Sequence, residues 1–361
     1  MTGFEHPARP PMGARSREEY AMTTYNVALN FEDGVTRVIQ CEDDEMVTEA
    51  AFRQKINIPM DCRDGVCGTC KCFAEKGEFE LEFYLDEAMT EEEAAQGYVL
   101  TCQMSPLSDC VVRVPATSAA CKTAPEPVSG EVLGVDRLSE TSFGLRVKMA
   151  KTVVFLPGQY VNVSVPGTDK HRSYSFSSKP GADEAQFLIR NIPGGVMSNY
   201  LGERAKGGDA ITLTGPMGTF YLRPMERPQL WLAGGTGLAP FLSMLEHLAE
   251  QGNEQPITLY YAATRAADLV ELDRIHALAK QIGNVTVITV LAAEEDPHGR
   301  KGFVTDHLSA DDLNGGDVDV YLCGPPPMVD AVRGHFGTLG VQPANFYFEK
   351  FNPTEAEADA A

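Results

Sequence analysis

The chain has 361 residues, 43% of them hydrophobic and 22% charged, which is enough apolar material for two or three cores and an unremarkable mix for a globular protein. No stretch nears the roughly 20 uninterrupted apolar residues of a membrane helix, and the N-terminus lacks a secretory pattern, so a cytoplasmic protein with no membrane partner is expected. A net charge of −21 argues against nucleic acid as a partner, and nine cysteines without an export signal point to metal or redox chemistry rather than disulfides.

Residues 1–21 mix Pro, Gly, Arg and Glu without apolar periodicity and are expected to form a flexible tail, with Met22 the expected start. From Thr23 the run TYNVALNF, then EDG, then VTRVIQC predicts a β-hairpin turning at Asp33 and Gly34. It opens a first domain over residues 22–117. That domain carries seven Lys and Arg against nineteen Asp and Glu, which fits a protein partner with a basic patch; a merely solubilising surface explains it equally well. Thr90 and Glu93 form a capping box, predicting a short helix ended near Gly97, with the EEE run as its solvated face.

Residues 115–128, PATSAACKTAPEPV, read as an inter-domain linker. Short strand-like runs broken by Gly and Pro follow, predicting an antiparallel barrel over residues 125–226. From Gln229 buried strands alternate with helical stretches, the pattern of a parallel α/β sheet, here over residues 227–353. The terminal TEAEADAA is expected to fray.

Cys62, Cys67 and Cys70 have the spacing C-x4-C-x2-C, and Cys102 follows after 31 further residues. This is the plant-type [2Fe-2S] spacing, in which four thiolates hold two irons. Gly65 and Gly68 permit the tight backbone that such a loop needs. Zinc is the competing reading, but zinc sites usually pair two C-x2-C units and only one fits here. Cys41, Cys72, Cys110 and Cys121 read as bystanders.

HRSYSFSS places Arg172 and Tyr174 on one face of a strand and Ser175 on the other. Gly194, Gly195, Val196, Met197 and Ser198 then open a helical segment, a plausible pyrophosphate cradle of N–H groups. In AGGTGLAPF, Gly234, Gly235, Thr236 and Gly237 lie between a buried strand and a helix, where the glycines would let a dinucleotide pyrophosphate approach; the motif is not the G-x-G-x-x-G fingerprint. The last strand ends at Cys323, Gly324 and Pro325, and ligands of parallel sheets bind outside the carboxyl ends of strands.

In this order the motifs R-x-Y-S, G-G-x-x-S, G-G-T-G-x-A-P and C-G-P resemble those of the ferredoxin-NADP reductase superfamily, from about Met22 to Pro353. The N-terminal cysteine loop narrows the resemblance, and NFEDGVTRVI, LNGGDVDVYLCGPPPMVDAVR and QPANFYFEKF are similar to reductase components of the benzoate 1,2-dioxygenase type. The resemblance implies an α+β β-grasp ferredoxin domain, an antiparallel β-barrel FAD domain and an α/β NAD domain. It implies NADH as donor and FAD and a [2Fe-2S] cluster as carriers. Arg172 would hold the FAD pyrophosphate, Tyr174 would pack on the isoalloxazine, and Ser175 would hydrogen-bond near flavin N5. Cys323 would sit beside the nicotinamide, Glu349 matches the C-terminal Glu-x-aromatic ending, and Phe351 would cover the flavin until nicotinamide displaces it. Phe348 reads as core packing.

The implied partner is a terminal oxygenase component with a Rieske centre, served by a monomeric reductase. A reductase for anthranilate or toluate dioxygenase, or for a di-iron monooxygenase, stays open, as does a redox-sensing module without nicotinamide turnover. NADH is preferred over NADPH on the carboxylates Asp268, Glu271 and Asp273 after the second parallel strand, with Arg265 expected in a surface ion pair.

Overall fold

The computed structural model describes residues 23–122, 126–295 and 299–351. The tail expected over 1–21, the start at Met22 and the fraying end at 354–361 lie outside the described residues. The chain divides into two compact units, one reaching to Ser118 without Pro59–Asp61, the other holding those three residues and everything from Ala119 on.

In the first unit β1 (Thr24–Phe31) buries Val27, Leu29 and Phe31 on one face, as its alternating sequence requires. It pairs antiparallel with β2 (Thr36–Glu42) through a turn in which Gly34 has φ 73°. Then come α1 (Val47–Arg53), β3 (Lys71–Lys76), β4 (Phe79–Leu81), α2 (Glu91–Ala95), β5 (Tyr98–Leu100), β6 (Met104–Pro106) and β7 (Cys110–Val114). The main sheet has the order β2-β1-β7-β3-β5, with β1 and β7 parallel and the other neighbours antiparallel; β4 and β6 pair separately.

The predicted capping box starts α2. Thr90 Oγ1 accepts from the Glu93 N–H at 3.2 Å, Glu93 Oε2 accepts from the Thr90 N–H at 3.1 Å, and Gly97 follows the helix with φ 103°. Glu91 and Glu92 are solvated as expected, whereas Glu93 also takes Lys71 Nζ at 2.7 Å. Within residues 115–128 several described residues are packed or bonded. Ala116 and Cys121 are buried, Ser118 donates its hydroxyl to Asp33 at 2.7 Å, and Glu126–Val128 already belong to a strand. The boundary between the two units, Ser118 to Ala119, nevertheless falls within this segment.

The second unit begins with six antiparallel strands: β8 (Glu126–Arg137), β9 (Ser142–Met149), β10 (Tyr160–Ser164), β11 (His171–Ser175), β12 (Glu184–Arg190) and, after α3 (Val196–Asn199), β13 (Ala210–Met217). Their order is β11-β10-β13-β8-β9-β12, and a bridge between Phe176 and Phe187 brings the two edges together into a nearly closed barrel. Phe155 stacks on Phe176 at 3.8 Å inside it.

Next come β14 (Gln229–Gly234), α4 (Ala239–Gln251), β15 (Ile257–Ala263), α5 (Leu272–Ile282), β16 (Val285–Leu291), β17 (Arg300–Lys301), β18 (Asp319–Gly324), α6 (Pro326–Thr338) and β19 (Asn345–Lys350). All six strands are parallel, in the order β17-β16-β15-β14-β18-β19. β14 and β18 are buried throughout, which is why they read as unbroken apolar runs. The step outward from β14 reverses between β15 and β18, and the crevice at that switch point is where α/β sheets bind ligands. No helix among the described residues is long and apolar enough to cross a membrane.

Candidate functional site

The residues singled out in the sequence fall into three groups. In the first unit the loop from Cys62 to Cys70 is folded so tightly that an added Cβ at Gly65 would lie 2.3 Å from the Phe83 carbonyl oxygen, and one at Gly68 2.9 Å from that of Ala88. Both glycines have positive φ, 80° and 73°, and Arg63 joins them at 68°. The backbone turns inward onto sulfur: the Cys67 N–H donates to Cys62 Sγ at 3.4 Å and the Thr69 N–H to Cys67 Sγ at 3.5 Å.

The four sulfurs form an open chain of hydrogen-bond contacts, Cys67 to Cys62 to Cys102 to Cys70. These mutual contacts push the Cys62 and Cys70 thiols downward and their partners Cys67 and Cys102 upward. Among the described residues no three His, Cys, Asp or Glu side chains close on a point suited to one ion. Three of the four sulfurs lie on this glycine-shaped loop, and the fourth, that of Cys102, comes from the segment between β5 and β6. Cys41, Cys72, Cys110 and Cys121 are buried and stand outside this chain of sulfurs.

On β11, Arg172 and Tyr174 are half-buried and Ser175 is buried, the alternation expected of the strand. Gly194 has φ 77° and Gly195 caps α3, which spans only four residues before one π-type turn over Tyr200–Arg204. The helix nevertheless starts where expected, so its first N–H groups, at Val196, Met197 and Ser198, lack intrahelical acceptors. The Ser198 hydroxyl accepts from the Ile192 N–H at 2.8 Å and so shapes the loop itself.

In the parallel sheet β14 leads through Gly234 into a 3-10 turn over Gly235–Leu238 and then α4, with Pro240 in its first turn. The glycines divide by role. An added Cβ on Gly237 would lie 2.3 Å from the Cys323 carbonyl oxygen, and one on Gly234 2.4 Å from Met328 Sδ. Gly235, at φ 54°, faces open space, and it and Thr236 are half-exposed. Gly234 and Gly237 thus pack this turn onto the Cys323-Gly324-Pro325 turn, and of the three glycines only Gly235 is open to a ligand.

Cys323 lies beside Glu349 in the register of β18 and β19. Glu349 reaches the flavin strand, where its Oε2 accepts from Ser175 Oγ at 3.2 Å. Part of the Glu349 surface is accessible, yet burial pushes its carboxyl up to about 8, and the Ser175 hydrogen bond offsets only part of that. Burial, then the nearby Glu349 carboxylate, also push the Cys323 thiol upward, keeping it protonated. The Phe351 N–H donates to the Gly324 carbonyl at 3.0 Å, which ties the half-buried end of β19 to the same turn. Phe348 packs on Phe346 at 5.7 Å, as core packing requires.

Two features escaped sequence reasoning. An added Cβ on Gly218, which has φ 92°, would lie 2.8 Å from the Tyr160 ring, so Gly218 makes room for that ring beside Glu349. Arg223 donates to the Thr219 and Tyr221 carbonyls and lies over the Tyr221 and Tyr347 rings at 3.7 and 4.3 Å. The Gly-Pro-Met run before Gly218 was the one available signal.

Residues 30–107 match the family described as 2Fe-2S iron-sulfur cluster binding domain, residues 136–221 the oxidoreductase FAD-binding domain and residues 231–334 the oxidoreductase NAD-binding domain. The toluate 1,2-dioxygenase electron transfer component of Pseudomonas putida is 53% identical over 91% of this chain and 98% of its own. The chain belongs to the family of 1,2-dioxygenase electron transfer components.

Other members are the 2-halobenzoate component of Burkholderia cepacia, 47% identical over 91% of this chain and 98% of its own, and the anthranilate component of Acinetobacter baylyi, 41% identical over 91% and 97%. A cytochrome P450 reductase of Amycolatopsis superposes with a TM-score of 0.69 at 31% identity, covering 91% of this chain and 99% of that one. This family member is an NADH-dependent flavin and iron-sulfur oxidoreductase with three domains. The names of its relatives support the toluate, halobenzoate and anthranilate group, so the narrower benzoate assignment does not stand by itself.

The residues expected to exclude a 2′-phosphate are arranged differently from the sequence reading. Asp268 accepts from Thr141 Oγ1 at 2.6 Å and from Arg265 Nε at 3.1 Å, and Glu271 pairs with Arg274 at 3.3 Å. Each has a cation three residues away, and a short turn brings the two together. Arg265 keeps its expected surface role, reaching Glu140 at 3.2 Å as well, and Asp273 is exposed.

Proposed function

We propose that this protein takes hydride from NADH and passes electrons one at a time to the Rieske centre of a terminal oxygenase that acts on a ring carboxylic acid of the toluate and benzoate kind. The observation that carries the reading is the placing of Ser175 and Cys323 on either side of Glu349, in a chain that also bears the four thiols Cys62, Cys67, Cys70 and Cys102. Relatives named as components of toluate, 2-halobenzoate and anthranilate 1,2-dioxygenases, at 53%, 47% and 41% identity, support an aromatic ring carboxylic acid as the substrate class.

FAD supplies the exchange between a two-electron donor and a one-electron acceptor, which nicotinamide and an iron-sulfur cluster cannot make directly. Cys62, Cys67, Cys70 and Cys102 would hold the cluster. Arg172 and the amides of Gly194–Ser198 would bind the FAD pyrophosphate, and Tyr174 would pack against the isoalloxazine. Ser175, its hydroxyl oriented by Glu349, would present a hydrogen bond near the reacting flavin edge. Gly235, Thr236, Gly324 and Pro325 would line the nicotinamide nucleotide beside the neutral Cys323 thiol, and Phe351 would shield the flavin from water between turnovers. The protein is read as a cytoplasmic monomer.

The test is reconstitution. Purified protein is combined with terminal oxygenase components for toluate, benzoate and anthranilate, and NADH-dependent dihydroxylation of each acid is measured. Turnover should be fastest with the toluate or benzoate oxygenase. Faster turnover with the anthranilate oxygenase would reject the substrate assignment, and NADH oxidation with no transfer to any of them would reject the partner class.

A further inference from the structure

The parallel sheet meets the flavin barrel through a closed ring of hydrogen bonds remote from Glu349. Arg274, in α5, donates through Nη2 to the Ser177 carbonyl at 2.6 Å and to Glu246 Oε1 in α4 at 2.7 Å, and through Nη1 to Glu271 Oε2 at 3.3 Å. The other oxygen of Glu246, Oε2, accepts from the Lys179 N–H at 2.9 Å, and Lys179 Nζ pairs with Glu250. One guanidinium and one carboxylate therefore grip the backbone at 177 and 179 from two helices at once.

These backbone groups lie just beyond Ser175 on the same run of chain, so residues 175–179 are held at one end by Glu349 of β19 and at the other by Arg274 and Glu246. α4 grows directly out of the Gly235–Leu238 turn. The ring thus links the nicotinamide turn, through α4, to the flavin strand. Arg274, Glu246 and Glu271 have side chains only 23%, 24% and 22% exposed, so water screens them less than it screens a surface pair. Glu271 caps α5 from the left-handed region at φ 63°, a conformation costly for a residue with a Cβ.

We propose that Arg274 and Glu246 are positioning residues for hydride transfer: together they fix the nicotinamide-binding sheet in register with the flavin strand without touching either cofactor. The planar fork of arginine is required, because a lysine ammonium cannot hold the Ser177 carbonyl and two carboxylates in the same plane. A misplacement of about 1 Å between reacting groups can cost on the order of 100-fold in rate, so a loosened ring should show in the chemical step.

The experiment uses the full FAD-loaded chain and anaerobic stopped-flow reduction by NADH, in Arg274→Met, Arg274→Lys, Glu246→Gln and the double variant Arg274→Met with Glu246→Gln. The limiting rate of flavin reduction should fall by about tenfold or more in each single variant, with FAD content kept and the NADH dissociation constant changed by less than about twofold. Reduction by dithionite, which needs no nicotinamide docking, should keep its rate. The double variant should be no slower than the slower single one, because both substitutions open the same ring. If Arg274→Met fails to fold, Arg274→Lys and Glu246→Gln decide the matter. An unchanged limiting rate, a loss confined to FAD content or NADH affinity, or multiplicative losses in the double variant would overturn the proposal.

Discussion

Ser175 Oγ donates to Glu349 Oε2 at 3.2 Å, joining the last residue of a barrel strand to the last strand of the parallel sheet across 174 residues of chain. The contact sets a hydroxyl and a carboxyl at the junction of the flavin and nicotinamide domains.

The Glu349 carboxyl ionises at about 8 in the fold and at about its ordinary 4.5 when unfolded. A raised folded value favours the folded state while the group is protonated. That contribution is fully present below about 4.5 and is lost as the pH rises through about 8. Glu349→Gln, which stays neutral, should therefore gain on the native protein as pH increases. Thermal melts of both FAD-loaded proteins from pH 5 to 9 should show a Tm difference that grows in favour of the variant and levels off above about 8. A difference that does not change with pH would show that Glu349 is ionised throughout.

Cys323 is buried in contact with the turn that Gly237 packs against. Cys323→Ala should slow flavin reduction by NADH by roughly tenfold while leaving FAD affinity within about twofold, since the thiol stands at the end of the parallel sheet and not in the barrel. Stopped-flow reduction and FAD titration separate the two effects. An unchanged reduction rate would make Cys323 a packing residue.

Gly237→Ala should cost about 1–3 kcal/mol of stability, because its Cβ would fall 2.3 Å from a backbone oxygen that cannot rotate away. The displaced turn should also raise KM for NADH. Chemical denaturation and steady-state kinetics would measure both, and full stability with unchanged KM would mean that the two turns separate freely.

Much of this arrangement was legible in the sequence, and the reasons it was legible are local. The cluster loop declares itself because three thiols and two glycines fall at set spacings within nine residues, with the fourth thiol at Cys102. β14 and β18 show as apolar runs because both faces of a parallel sheet are covered. The capping box at Thr90 is a four-residue device, visible wherever it occurs. Contacts that join distant segments were not legible. Nothing in GGTG distinguishes Gly237, which meets the Cys323 carbonyl, from Gly235, which faces open space. Asp268 and Glu271 look like free carboxylates until a turn brings Arg265 and Arg274 to them. Ala116 and Cys121 resemble linker residues because their burial depends on partners far away in sequence.

In the cluster loop, Gly65→Ala should prevent iron incorporation. The substitution places a Cβ 2.3 Å from the Phe83 carbonyl oxygen at a residue with φ 80°, so the thiols lose their spacing. Flavin binding and reduction by NADH should persist, since the barrel and parallel sheet form a separate unit. Iron analysis with flavin absorbance would check this, and a full complement of iron would show that the loop tolerates a side chain there.

The central claim, that one chain carries electrons from NADH through FAD to a four-cysteine cluster, is tested most directly by anaerobic titration of the purified protein with NADH, after analysis of its iron, sulfide and flavin. Two irons, two sulfides and one FAD per chain are predicted, with NADH bleaching the flavin and cluster absorbance together and Cys62→Ser abolishing only the cluster signal. Zinc in the thiol site, or a cluster left oxidised while the flavin is fully reduced, would contradict it.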